Sequence, residues 1–140
     1  MGANYICLGV ECNSDQLANL SNQNTMESNG WVFDVSHSMN IRYRKACGGE
    51  TWYGYSSAGA GSVKIDLAAS GIANLNYGNC NTAGVVSVSL NDKLISSANA
   101  NVNNKVISFR FSKGDILKLT EEGFAIIKLN AIEIKCPGKD

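Results

Sequence analysis

The feature that most restricts this chain is a period of two. GSVKIDL (61–67) sets Val63, Ile65 and Leu67 on one side and Lys64 and Asp66 on the other. KVISFRF (105–111) does the same with Ile107, Phe109 and Phe111 against Ser108 and Arg110. Side chains of an extended strand alternate between its two faces, so each stretch predicts a half-buried strand. Upstream, GWVFDVS (30–36) sets Trp31, Phe33 and Val35 against Val32 and Asp34. NIRYRKA (40–46) sets Ile41 and Tyr43 against Arg42 and Arg44. No segment carries the three-and-four spacing of a long amphipathic helix.

Turn chemistry divides these strands. AGVVSVSL and KLISS flank Asn91-Asp92, which predicts a hairpin with a two-residue turn. SKGD (112–115) and EEG (121–123) read as turns around the short strand DILKLT. GFAIIKLNAIEIK (123–135) reads as the last and longest strand; its alternation slips between Leu129 and Ile132, which predicts a bulge or bend there. About nine or ten short strands with frequent turns predict an all-β, antiparallel sandwich of the jelly-roll kind. The single proline, Pro137, lies past the last strand, where it breaks no ladder. The 140 residues read as one domain (1–140), with a loop-rich segment 1–29 that holds one strand and a short helical turn within 14–28.

Net charge is zero and charged residues make up only 17% of the chain, which argues against a nucleic acid or an anionic membrane surface as partner. No apolar run is long enough to span a bilayer. The opening Met-Gly-Ala carries no leader-like stretch and reads as the start of a mature chain. Asn, Ser and Gly supply much of the polar character. They suit tight turns, and Asn amides also match a hydroxyl-rich ligand. Five cysteines in a chain this short predict an oxidising, extracellular setting. They form no zinc pattern, since there is no CxxC pair and only one histidine, His37. The expected pairing is Cys47 with Cys80, leaving Cys7, Cys12 and Cys136 near the termini.

Catalysis is poorly served. No GxSxG surrounds any serine, and cysteine chemistry with His37 competes with disulfide formation. Glu50 with Glu121 or Glu122 could form an acid pair, but nothing in their spacing selects them. The chain is therefore expected not to be an enzyme. Binding fits better. GGETWYGYSSAGAG (48–61) crowds Trp52, Tyr53 and Tyr55 among glycines. Either the loop folds back and buries all three rings, or one ring stands clear to stack on the apolar face of a sugar. His37, Asn40, Arg42 and Arg44 would bond its hydroxyls. Arg42 and Arg44 share a strand face, so they need a ligand nearby or neutralisation by Glu50 or Asp34. Glu50, Glu121 and Glu122 are the candidate calcium ligands.

Residues 71–134 carry a resemblance. GIANLNYGNC is followed by VVSVSLNDKLISSA, and then by KVISFRFSKGDILKLTEEGFAIIKLNAIEI. The series resembles galactose-binding-domain-like jelly rolls of marine invertebrate secreted proteins and, more loosely, is similar to carbohydrate-binding modules. The resemblance implies a secreted lectin for a galactose-type sugar, often calcium-dependent and oligomeric, with its contacts on loops at one end. A dimer would raise avidity for a weakly held neutral sugar. The alternative is an extracellular protein-recognition module in which the aromatics anchor a protein interface.

Overall fold

The computed structural model describes residues 20, 23–34, 37–39, 52–56 and 59–135. Among the described residues, one short helix, α1 (Gln23–Ser28), precedes ten strands. These are β1 (Trp31–Asp34), β2 (His37–Met39), β3 (Trp52–Tyr55), β4 (Ala60–Asp66), β5 (Gly71–Asn79), β6 (Val85–Leu90), β7 (Lys93–Asn99), β8 (Val102–Phe111), β9 (Ile116–Glu122) and β10 (Ile127–Lys135). They form two five-stranded sheets in the orders β1-β4-β9-β6-β7 and β2-β3-β10-β5-β8. Every pairing is antiparallel, and the chain repeatedly crosses from one sheet to the other, so the molecule is a jelly-roll β-sandwich. The expected strand at 40–46 lies outside the described residues.

The period of two is what closes the sandwich. Val63 and Ile65 of β4 with Leu67 just past its end, Leu117 and Leu119 of β9, and Val86 and Val88 of β6 face inward from one sheet. Leu75 and Tyr77 of β5 and Ile127 and Leu129 of β10 meet them from the other. Each such side chain contributes roughly 1.5–3 kcal/mol by leaving water. Tyr77 bridges the layers, its hydroxyl bonded to the Ser96 hydroxyl on β7. Burial raises the Tyr77 phenol above its ordinary range.

The hairpin forms as expected: Asn91 and Asp92 take φ of 54° and 65°, the left-handed pair a two-residue turn requires. The predicted slip in β10 is a bulge at Asn130, where the register with β5 shifts between Leu129 and Ala131. Two readings need correction. Glu121 and Glu122 are not turn residues but the last two residues of β9. Gly123 and Phe124 do not open β10; both take positive φ, 67° and 65°, and β10 begins at Ile127. Two successive left-handed residues cannot continue a strand.

Candidate functional site

Most of the rings singled out in the sequence lie inside. Trp52 is 0% exposed, with its indole folded over Gly54 and against Phe33, ring centroids 5.1 Å apart. Tyr53, 1% exposed, points the other way and is covered by packing with Ile126 and Cys80. The alternation of rings between faces is as the sequence implies, but both faces of β3 are covered there. Neither ring offers a stacking surface. Tyr55 is half-buried at the edge of the same cluster. Lys128, which pairs in register with Tyr53, is buried too, and burial lowers its amine below the ordinary range.

His37 occupies the register position opposite Tyr55. Asn40, Arg42, Arg44, Glu50 and Cys47 lie outside the described residues. Cys80 is disulfide-bonded to a partner outside them. Glu121 and Glu122 do not form a ligand pair: Glu121 is 0% exposed between the sheets, while Glu122 is exposed on the opposite face of β9. Neighbours on one strand necessarily diverge in this way. Among the described residues, no three His, Cys, Asp or Glu side chains converge as a metal site.

The structure brings together a different set, at the end of the sandwich where β3 runs into β4, β5 into β6 and β9 into β10. Its hub is Asn79, fully buried. The Asn79 amide donates to the carbonyls of Ala83 (3.2 Å) and Gly84 (3.1 Å), and its oxygen accepts from the N–H groups of Asn81 (3.1 Å) and Ile126 (3.1 Å). One side chain thereby ties two loops together. Asn81 Nδ2 then donates to Phe124 O at 2.6 Å, and Phe124 N–H donates to Gly59 O at 3.2 Å.

Phe124 is held at both its N–H and its carbonyl, at a left-handed φ, and the residue is 59% exposed. The ring lies over Gly59, where a β-carbon would come within 3.0 Å of Cε1, Cε2 and Cζ. A bulky residue in this conformation is an outlier costing on the order of 1–2 kcal/mol, and it persists because its surroundings fix it. Such positions concentrate where a protein meets a ligand.

Beneath the loops, Glu121 Oε2 accepts the Ser56 N–H at 2.6 Å, while Oε1 is buried and finds no donor among the described residues. Burial pushes this carboxyl up to about 7 against the opposing effect of the Ser56 bond. Sequence reasoning named Glu121 as a calcium ligand but placed it in a turn, and it missed Phe124, which it placed in a strand. The available signal was an aromatic directly after the turn glycine of EEGF, a position that turn chemistry alone would not fill with a ring.

No family model matches the chain, and no curated protein matches it in sequence, so the galactose-binding-domain-like resemblance stands on residues 71–134 alone. Among solved structures, the chain is similar to the secreted serine protease VesC from Vibrio cholerae, with a TM-score of 0.56 at 10% identity. That likeness covers 89% of this chain and 28% of the protease chain, and it is one of fold. The chain is also similar to CBM35 from Paenibacillus barcinonensis, with a TM-score of 0.47 at 12% identity over 76% of this chain and 92% of that one.

Proposed function

We propose that this chain is a secreted, non-catalytic carbohydrate-binding sandwich that takes a neutral sugar of galactose type at the Phe124 end. The observation that carries this reading is the exposed ring of Phe124, pinned by Asn81 and Gly59 in a conformation its own backbone disfavours. A flat ring that loses little freedom on binding is a good platform for the C–H face of a pyranose. Zero net charge and a polar character built from amides and hydroxyls fit an uncharged ligand.

A glycan array on the full chain, with and without EDTA, tests the reading. Galactose-bearing glycans should be retained, and Phe124→Ala should weaken retention about tenfold, the scale of one lost aromatic contact. An array without signal, or one that Phe124→Ala leaves unchanged, overturns it. The EDTA arm tests calcium dependence, which would fall to ligands other than the Glu121 and Glu122 pair. Retention of a protein partner in place of any glycan would favour a recognition module instead.

A further inference from the structure

A second group of side chains, away from the loop end, has the makings of a site. It lies on the outer face of the sheet β2-β3-β10-β5-β8, at the level where β5 passes Gly78. Both neighbours of β5 bulge there. In β10 the extra residue is Asn130, between Leu129 opposite Tyr77 and Ala131 opposite Asn76. In β8 the register steps from Lys105 opposite Tyr77 to Val102 opposite Asn79, which leaves Asn103 and Asn104 facing Gly78 alone. All three residues at the two bulges are asparagines. Bulges re-aim side chains and gather beside functional sites.

The re-aimed amides meet. Asn130 Nδ2 reaches across β5 to Asn76 Oδ1 (3.0 Å), Asn103 O (2.9 Å) and Asn104 Oδ1 (3.2 Å). Gly78 permits the close approach of the strands, since a β-carbon there would stand 2.4 Å from Val102 O and 2.6 Å from Asn103 O. An amide nitrogen has two protons, so three acceptors around it leave one unmet. Turning the Asn130 amide over would set its oxygen against the Asn103 carbonyl, which cannot donate, so that carbonyl fixes its orientation. Asn103 Oδ1 adds a buried oxygen with no partner among the described residues. The cluster therefore sets amide donors and acceptors side by side, with no formal charge of its own.

Two charged residues lie nearby in register, the buried Lys128 opposite Gly78 and Glu133 opposite Asn74. Lys105 turns its amine away to Ser97 O on β7, at 2.6 Å. Val106, 65% exposed, lies opposite Asn76 in register and sets an apolar patch beside the amides. One step further along β5, Asn74 and Ser108 form another amide–hydroxyl pair. Amide donors and acceptors match hydroxyl groups, and an apolar patch beside them matches C–H groups. A polyol or sugar carries both. A calcium ion would find oxygens but no carboxylate among these residues, and ligand charge is what tunes calcium affinity.

We infer that the asparagine cluster of Asn76, Asn103, Asn104 and Asn130 is a second binding site for neutral polyhydroxylated ligands, exchanging hydrogen bonds with their hydroxyls. The ligand class is that of the loop-end reading, while the site and its residues are independent of Phe124.

The test uses the full chain, with neutral galactan as probe in affinity electrophoresis. Asn104 is exposed, so Asn104→Ala should keep the melting temperature of the parent. It should weaken galactan retention about tenfold, the scale of one hydrogen bond to a ligand left unmade. Asn104→Ser, which restores an oxygen acceptor, should recover part of the loss. Phe124→Ala should leave residual retention that the double variant abolishes. If Asn104→Ala binds galactan like the parent while Phe124→Ala loses it, the second site is overturned and the loop-end reading survives. If the parent itself is not retained, both fall. Saturable terbium luminescence that disappears in Asn104→Ala, with galactan retention unchanged, would overturn the sugar assignment in favour of a cation.

Discussion

The two ends of the sandwich use the same device and finish differently. At the end that holds the β6–β7 turn, Asn91 donates to Asp115 Oδ1 (3.0 Å) and accepts from Ile116 N–H (2.9 Å), while Asp115 Oδ2 takes the Ser112 N–H (2.8 Å). The residues at positive φ there are Asn91, Asp92 and Gly114, the types that tolerate it. Nothing in that turn cluster breaks a local rule. At the other end Asn79 plays the same tying part from a buried position, but the left-handed φ falls on Phe124 and a buried carboxylate oxygen finds no partner among the described residues. Local rules that hold at one end and fail at the other locate the part of the molecule shaped by something besides folding.

The largest effect should come from the two hubs. Asn79→Ala removes four hydrogen bonds, three part-buried and one buried, and strands the Ile126 N–H, so it should destabilise the fold by about 3 kcal/mol. Asn91→Ala loses exposed bonds and puts alanine at φ 54°, for about 1–2 kcal/mol. Urea denaturation of the two variants measures the gap. Equal midpoints would mean that the Phe124 end is no more tightly tied than the other.

Glu121 supplies the next effect, and it depends on pH. Its carboxyl is raised from 4.5 to about 7 in the folded chain. Between those values the folded state holds a proton that the unfolded chain has released. Stability is therefore greatest below about 4.5, declines as pH rises, and has lost this contribution above 7, by an amount on the order of 2 kcal/mol. Glu121→Gln cannot titrate, so its melting temperature should stay level from pH 5 to 8 while that of the parent falls. A parent curve parallel to that of the variant would place the carboxyl in a wetter setting than the sandwich gives it.

What the sequence disclosed follows the same division. The strands were legible because each buries one face, and Val63, Ile65 and Leu67 record that in their spacing. The Asn91-Asp92 turn and the slip at Asn130 were legible because turn and register are local properties. The rings of β3 were not. Alternation separates Trp52 from Tyr53, but only the packing of Phe33 on one side and Ile126 with Cys80 on the other buries both. Phe124 was misread as strand because its backbone is set by Asn81 and Gly59, residues distant in sequence. The asparagine cluster is likewise an encounter of Asn76, Asn104 and Asn130 across three strands, which no single window of sequence contains.

The smallest effect separates strain from mere exposure at Phe124. If the left-handed backbone costs what such a conformation costs elsewhere, Phe124→Gly should be about 1 kcal/mol more stable than Phe124→Ala. Both variants lose the ring, so their difference reports the backbone alone. Both should also lose galactan retention to the same extent, because the ligand meets the ring and not the dihedral. The matched pair at Asp92, whose φ is also 65°, gives the control: Asp92→Gly and Asp92→Ala should differ by a similar amount with no change in retention. A stability difference at 124 no larger than zero would mean that the surroundings relax the backbone when the ring goes. The ring would then be imposing the conformation that Asn81 and Gly59 are here taken to enforce.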